Sequence, residues 1–84
     1  MKLGDLKDFE LPDLGDADKL ADTHGMDDHR LLDSMNNPDG IGGSIILGDG
    51  EVLNGNHRIA EALRRMGKPE HPLFTPDREI LVVP

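Results

Sequence analysis

Residues 48–67 read GDGEVLNGNHRIAEALRRMG, and this stretch decides the fold. Its first part predicts a β-hairpin, because a Gly-Asp-Gly turn separates the apolar run at 45–47 from a second short run at 51–53. Its last part predicts a helix, since apolar residues recur with helical spacing from Ile59 to Met66 and a glycine follows them.

A polar cluster, Asn-Gly-Asn-His-Arg at 54–58, lies where the second strand gives way to the helix. If the helix begins near Asn56 or His57, its first backbone amides lack partners and carry a partial positive charge. Gly55 allows a ligand to approach the backbone closely, and His57 and Arg58 add side-chain donors. The cluster therefore predicts an anion site, with phosphate as the usual anion.

A purely structural interpretation of the same residues is also open. Asn54 or Asn56 would cap the helix, and Gly55 would make the turn. This interpretation does not explain the adjacent His57 and Arg58, because cations in the first turn oppose the helix dipole. The chain has acidic residues to spare for that position.

Composition narrows the class of protein. With 84 residues, one domain over 1–84 is expected. Phe9 and Phe74 are the only aromatic residues, so the core must be aliphatic. The sequence has no cysteine, which excludes disulfides, thiolate catalysis and cysteine zinc sites and fits a cytoplasmic location. No apolar run approaches the length of a membrane span.

The charge is strongly negative and unevenly placed. The formal net charge is −8, and residues 1–40 carry eleven acidic against four basic side chains. Such a chain is a poor partner for nucleic acid. The acidic half is interpreted as a solvated surface, and the sharper alternatives are a contact face for a basic protein or mimicry of DNA.

The remaining segments predict short elements around this hairpin and helix. Leu3 and Leu6 suit a short strand followed by a turn, and 17–23 suits a helical turn. Asp27 or Asp28 suits the N-cap of a helix that ends near residue 35. Residues 71–74 are expected to be extended, and 79–83 to form a last strand. The predicted class is α/β of the α+β kind, with a short mixed sheet, a hairpin and two or three helices.

Two histidines in the acidic half, His24 and His29, raise the question of a metal site. Their spacing does not place both on one helix face, and Gly25 lies between them. Surface positions are the favoured interpretation for these two histidines, and the metal ligands of the protein stay unknown at this point.

The cluster and its helix resemble the signature segment of the ParB/sulfiredoxin-like superfamily, in which a glycine-containing loop with His or Arg leads into an alanine-rich helix. A second stretch supports the resemblance. Residues 31–35, LLDSM, are similar to the family's Leu-x-x-Ser-Ile helix. Residues 40–47 are similar to its Gly-x-x-x-Pro-Ile-x-Val stretch, with Ser44 in place of the proline. The firm resemblance covers 29–67.

The resemblance implies a domain that binds a nucleotide or another phosphorylated small molecule, with ATP or CTP and Mg²⁺ as the expected ligand. It implies a phosphate cradle in which His57 and Arg58 contact oxygens. The implied lining is Gly55, Asn56, His57 and Arg58, completed by Gly42, Gly43 and Ser44. On this basis we expect Arg58→Ala to abolish ligand binding with little loss of fold.

For an enzyme of this kind, phosphoryl transfer or NTP hydrolysis is the natural reaction. His57 would relay a proton, and Glu51 would act as a base or hold Mg²⁺ through water, although it is equally an ordinary hairpin residue. Asn56 stands where sulfiredoxins have cysteine, which excludes sulfinic acid reduction. Two other functions stay open: a nuclease or toxin module, which the net charge disfavours, and a non-enzymatic domain whose acidic face binds a basic protein.

Overall fold

The computed structural model describes residues 1–12 and 14–84, and its sheet has three short strands. β1 spans Ile45–Leu47, β2 spans Val52–Asn54 and β3 spans Val82–Val83. β1 lies in the middle, antiparallel to β2 and parallel to β3. The predicted hairpin is present, and this mixed sheet together with the helices confirms the α+β class.

Four helices surround the sheet within the described residues: α1 at Ala17–His24, α2 at Asp28–Asn36, α3 at Asn56–Arg65, and a 3-10 helix at Leu3–Asp8. Local chemistry explains two of the starts. The Asp16 carboxylate accepts the amides of Asp18 and Lys19 and caps α1. The Asp27 carboxylate accepts the amide of Arg30 at 2.8 Å and caps α2, as one of the two predicted alternatives.

The segment predicted to open with a short strand forms the 3-10 helix instead, so that prediction was wrong. Leu3 and Leu6 are three residues apart, and a 3-10 helix has three residues per turn. Both side chains therefore point the same way, and both are fully buried. Within this opening segment, strand-like pairing is limited to Lys2, which forms an isolated antiparallel bridge with Glu79.

The C-terminal segment also departs from expectation. Residues 71–74 form a turn and not an extended stretch, because the amide of Phe74 donates to the carbonyl of His71 at 3.1 Å. The carbonyl of Phe74 in turn accepts the amide of Gly67 at 3.0 Å. This turn carries the Phe74 ring into the core. The predicted last strand is shorter than 79–83 and consists of β3 alone.

The buried side chains form one cluster between the sheet, α3 and the 3-10 helix. Phe74 is its only aromatic member, and Phe9 packs against it partly buried, so the core is aliphatic except for this one ring. The cluster comprises Leu3, Leu6, Leu31, Met35, Ile45, Leu47, Val52, Ile59, Ala62, Phe74 and Ile80. Burial of each large member contributes about 1.5–3 kcal/mol, so α3 is held mainly through its inner face. None of the helices in the described ranges is long and apolar enough to cross a membrane.

Candidate functional site

The β2–α3 junction is built on Gly55, whose φ of +99° lies in the left-handed region. A side chain here would be strained, and its Cβ would collide with Cδ1 of Ile45. Gly55 is the N-cap residue, and no side chain of residues 1–12 or 14–84 caps the helix. The interpretation in which Asn54 or Asn56 caps α3 was therefore wrong.

The first amides of α3 are free at this junction. The carbonyl of Gly55 accepts the amide of Ile59 at 2.9 Å, which is the first bond of the helix. Within the described part of the chain, the amides of Asn56, His57 and Arg58 make no hydrogen bond. Together they form a concentrated donor group at the positive end of the helix dipole.

The Arg58 side chain is only 6% exposed. Its Nη1 donates to the carbonyls of Ser34 at 2.7 Å and Gly43 at 2.8 Å, with a longer contact to Ile41 at 3.3 Å. Its Nη2 donates to the carbonyl of Gly42 at 3.1 Å. Burial lowers the pKa of Arg58, and the four carbonyls supply the acceptors that a buried guanidinium needs.

The Arg58 guanidinium thus ties the glycine loop at 40–44 to α2 and α3. Gly42 makes room for it, since a Cβ there would lie 3.0 Å from Cζ of Arg58 and φ is +82°. Asn54 adds a second tie, because its Nδ2 donates to the carbonyls of Gly42 at 2.9 Å and Ser44 at 2.7 Å. The geometry therefore gives Arg58 a different role from the predicted contact with phosphate oxygens: it holds the loop.

A cleft of about 910 Å³ lies between α1 and the start of α2 on one side and the β2–α3 junction on the other. Five of the predicted site residues line it: Gly42, Gly55, Asn56, His57 and Arg58. The opposite wall and the rim are formed by residues that the sequence did not single out. The polar and charged ones are Asp16, Lys19, Asp22, Thr23 and Arg30, and the larger apolar ones are Met26, Ile41 and Leu53.

Three predicted residues are not part of the cleft lining: Gly43, Ser44 and Glu51. The carbonyls of Gly43 and Ser44 face Arg58 and Asn54, so these two residues support the loop from behind. Glu51 lies beside the hairpin turn and pairs with Glu10 in an isolated bridge. Four strand residues at ~3.3 Å each put it roughly 13 Å from Gly55, so the structure does not bring Glu51 to the helix start.

Two buried polar atoms at this helix start have no hydrogen-bond partner within the described residues. They are Oδ1 of Asn56 and Nε2 of His57, and both residues line the cleft. An unsatisfied buried polar atom costs about 1–3 kcal/mol, so two of them side by side need an explanation. Both atoms are shielded from solvent in this structure, so a ligand in the cleft would bond to them only after the Asn56 and His57 side chains turn towards it.

A second arginine on α3, Arg65, joins this helix to the α1–α2 wall of the cleft. Its Nη2 donates to the carbonyl of Met26 at 2.6 Å and to that of His24 at 3.1 Å. Its Nε and Nη1 bind the carboxylates of Glu61 at 2.7 Å and Asp28 at 2.9 Å. Arg65 is 2% exposed, so its guanidinium is buried, and each of its three nitrogens donates to one of these oxygens.

Glu61 is the acidic centre of this buried network. Arg64 holds it through Nη2 at 2.6 Å, and Nδ1 of His24 lies 3.3 Å from it. Burial opposes ionisation of the carboxyl, but the hydrogen bonds from Arg64, Arg65 and His24 outweigh it and lower the pKa of Glu61 to about 2. His24 thus contacts the carboxylate of Glu61, and no cluster of metal-binding side chains is found in the ranges that the structure describes.

Lys19, Arg30, Glu61 and Arg65 were all missed by the sequence analysis. Arg65 lies in the last turn of α3, and its burial depends on the α1–α2 turn, which reaches it from about forty residues away. No spacing rule links such positions. The one available signal was the rarity of basic residues in the first half, where Lys19 and Arg30 are two of four.

Comparison with protein-family models, with curated proteins and with solved structures finds no match for this chain.

Replacement of Arg58 is expected to damage the fold. Arg58→Ala leaves four carbonyls without their donor, and we expect a loss of about 3 kcal/mol or more in the free energy of unfolding by urea. Arg58→Lys should also destabilise, because an ammonium cannot reach carbonyls spread over the same fork. Lys68→Ala, which removes an exposed charge, is the control. Unchanged stability of both Arg58 variants would refute the structural role and restore the predicted one.

Acid should weaken the network through Glu61. Because its pKa is lower in the folded protein than the ordinary 4.5, its contribution is complete above about pH 5 and is lost as the pH falls towards 2. Glu61→Gln should therefore cost about 3 kcal/mol at pH 7, and the difference from wild type should shrink on acidification. Urea unfolding between pH 2 and 7 measures this, with the exposed Glu70→Gln as control. A pH-independent difference would contradict the account.

Proposed function

We propose that this protein binds a nucleotide or another phosphorylated small molecule in the cleft at the start of α3. The observation that carries the proposal is the group of unsatisfied polar atoms at that point. Within the described residues, three amides at the start of α3 have no partner, and neither do the buried Oδ1 of Asn56 and Nε2 of His57 in the same turn. Free helix amides favour an anion, and phosphate is the most common one bound in this way.

The cleft suits an organic phosphate in size and in lining. Its volume of about 910 Å³ lies in the range of small-molecule sites. The polar helix start occupies one part of the lining, and Ile41 and Leu53 stand 54% and 58% exposed beside it. These apolar side chains offer contact to the part of a ligand that carries no charge. The resemblance to the ParB/sulfiredoxin-like superfamily supports the same kind of ligand.

Within this proposal, each residue of the predicted cradle has a defined part. Gly55 supplies the sharp turn, and Asn56 and His57 meet the ligand with backbone and side-chain groups. Arg58 acts indirectly by fixing the glycine loop. Phosphoryl transfer or NTP hydrolysis is the reaction class that such a cleft suits, with His57 as the group that moves a proton.

A magnesium ion would enter with the phosphates of the ligand. Mg²⁺ binds through one or two carboxylates and keeps several waters, so it needs no dedicated cluster of ligands. Asp22 on α1 is the exposed carboxylate of the lining that fits this use, since Asp16 is engaged in capping α1. When bound, the ion would neutralise charge on the phosphates.

Titration of ¹⁵N-labelled protein tests the proposal. With ATP, CTP or GTP and Mg²⁺, we expect amide shifts centred on Gly55, Asn56 and His57, and adenosine alone should produce far smaller ones. His57→Ala should weaken binding roughly tenfold through the lost hydrogen bond, whereas His29→Ala, an exposed histidine outside the cleft, should not.

Absence of shifts at millimolar nucleotide would contradict the proposal. The acidic surface of the first half would then become the candidate contact face for a basic protein. Toxicity on expression together with cleavage of nucleic acid would instead favour the nuclease alternative, against the net charge of −8.

A further inference from the structure

The residue that was expected to bind the ligand's charge is not free to do so. The guanidinium of Arg58 donates to the carbonyls of the glycine loop and of α2. The amides of α3 carry only a partial charge, equivalent to about half an elementary charge for a whole helix. An anion with a full negative charge therefore needs cations from elsewhere in the lining.

Two such cations stand on the opposite wall. Lys19 lies on α1 and Arg30 on the first turn of α2, and both line the cleft. Both side chains are exposed. In the described ranges, no carboxylate forms an ion pair with either of them. Their charges are thus available to a ligand.

Lys19 and Arg30 are basic residues in a part of the chain that is mostly acidic. Residues 1–40 hold four basic side chains among eleven acidic ones, and two of the four face this cleft. The cleft lining carries three cations, at Lys19, Arg30 and Arg58, against two carboxylates, at Asp16 and Asp22. The balance of charges in the lining is therefore opposite in sign to the net charge of −8, although one of the three cations, Arg58, is already bound to backbone carbonyls.

We infer that Lys19 and Arg30 are the side chains that bind the charge of the ligand, facing the amides of α3 across the cleft. This inference rests on the proposed function and adds the residues that recognise the anion. The phosphate group lies between the two walls, so binding joins the α1–α2 wall to the start of α3. Affinity then rises with the number of phosphates and falls with added salt.

The arrangement of the two walls also indicates how the cleft selects an anion by size. Both cations are carried by short helices whose positions depend on Arg65, because this arginine holds the carbonyls of the α1–α2 turn. The charged wall is therefore fixed from within by one buried arginine, while its own two cations remain free to close on a ligand. An anion too small to reach from α3 to this wall gains only part of the binding energy.

The test compares charge-removing and charge-keeping variants, with sodium triphosphate as the probe. Lys19→Ala and Arg30→Ala should each raise the Kd roughly three- to tenfold, and Lys19→Arg and Arg30→Lys should restore most of the affinity. Lys68→Ala, with the same change of charge outside the cleft, should leave the Kd within about twofold. All variants alter exposed side chains, so the midpoint of thermal unfolding should be unchanged.

The outcomes separate this inference from the proposed function. If triphosphate shifts the α3 amides of the wild type and both alanine variants bind as tightly as Lys68→Ala, the inference is overturned and the proposed function stands. If the wild type shows no shift at the α3 amides, both are overturned. Selective loss in the two cleft variants, with rescue by the conservative replacements, establishes the anion-binding role.

Discussion

The fold of this protein depends most heavily on one buried guanidinium, that of Arg58. It donates to carbonyls from α2 and from three positions of the glycine loop, and so joins segments that lie 15 to 24 residues away in sequence. Charge-assisted hydrogen bonds are stronger than neutral ones, and in a chain of 84 residues the apolar core is thin. Polar ties of this kind therefore carry more of the stability than they would in a larger domain.

The second arginine repeats the same device two helical turns later. Arg65 follows Arg58 by seven residues, so the two lie on similar faces of α3. Arg58 holds the glycine loop, and Arg65 holds the α1–α2 turn through the carbonyls of His24 and Met26. Both walls of the cleft are therefore hydrogen-bonded to one helix, α3. Ile59 and Ala62 on its inner face are part of the hydrophobic core. The arrangement leaves the start of α3 open while fixing everything around it.

The polar cluster at 54–58 has two separable tasks in this structure. Asn54 and Arg58 bind the carbonyls of the glycine loop and hold it, while Asn56 and His57 line the cleft and each has one buried atom without a partner in the described part of the chain. This division explains why a cation in the first turn is tolerated, since the carbonyls of the loop outweigh its unfavourable position near the helix dipole. It also explains why residue 42 is a glycine, because a side chain there would take the space that the Arg58 guanidinium occupies.

The sequence predicted correctly those elements whose formation depends on residues close together in the chain. The hairpin, α3 and the cap of α2 follow from turn residues, helical spacing and Asp27, and each lies where the sequence indicated. The opening segment was misjudged because the spacing of Leu3 and Leu6 was not weighed: residues three apart point to opposite faces of a strand but to one face of a 3-10 helix, and both are buried. The direction of Arg58 and the positions of Lys19 and Arg30 depend on segments brought together only by folding. A single sequence contains no spacing rule for such contacts.

The central claim is that Arg58 organises the site and does not bind the ligand. NMR of the labelled guanidinium of Arg58 tests it most directly, before and after saturation with ATP and Mg²⁺. We predict slow rotation of the guanidinium, separate Nη signals and proximity to Ser34 and Gly43, all unchanged by the nucleotide. Fast rotation in the free protein, or a large shift of these signals on addition of nucleotide, would contradict the account.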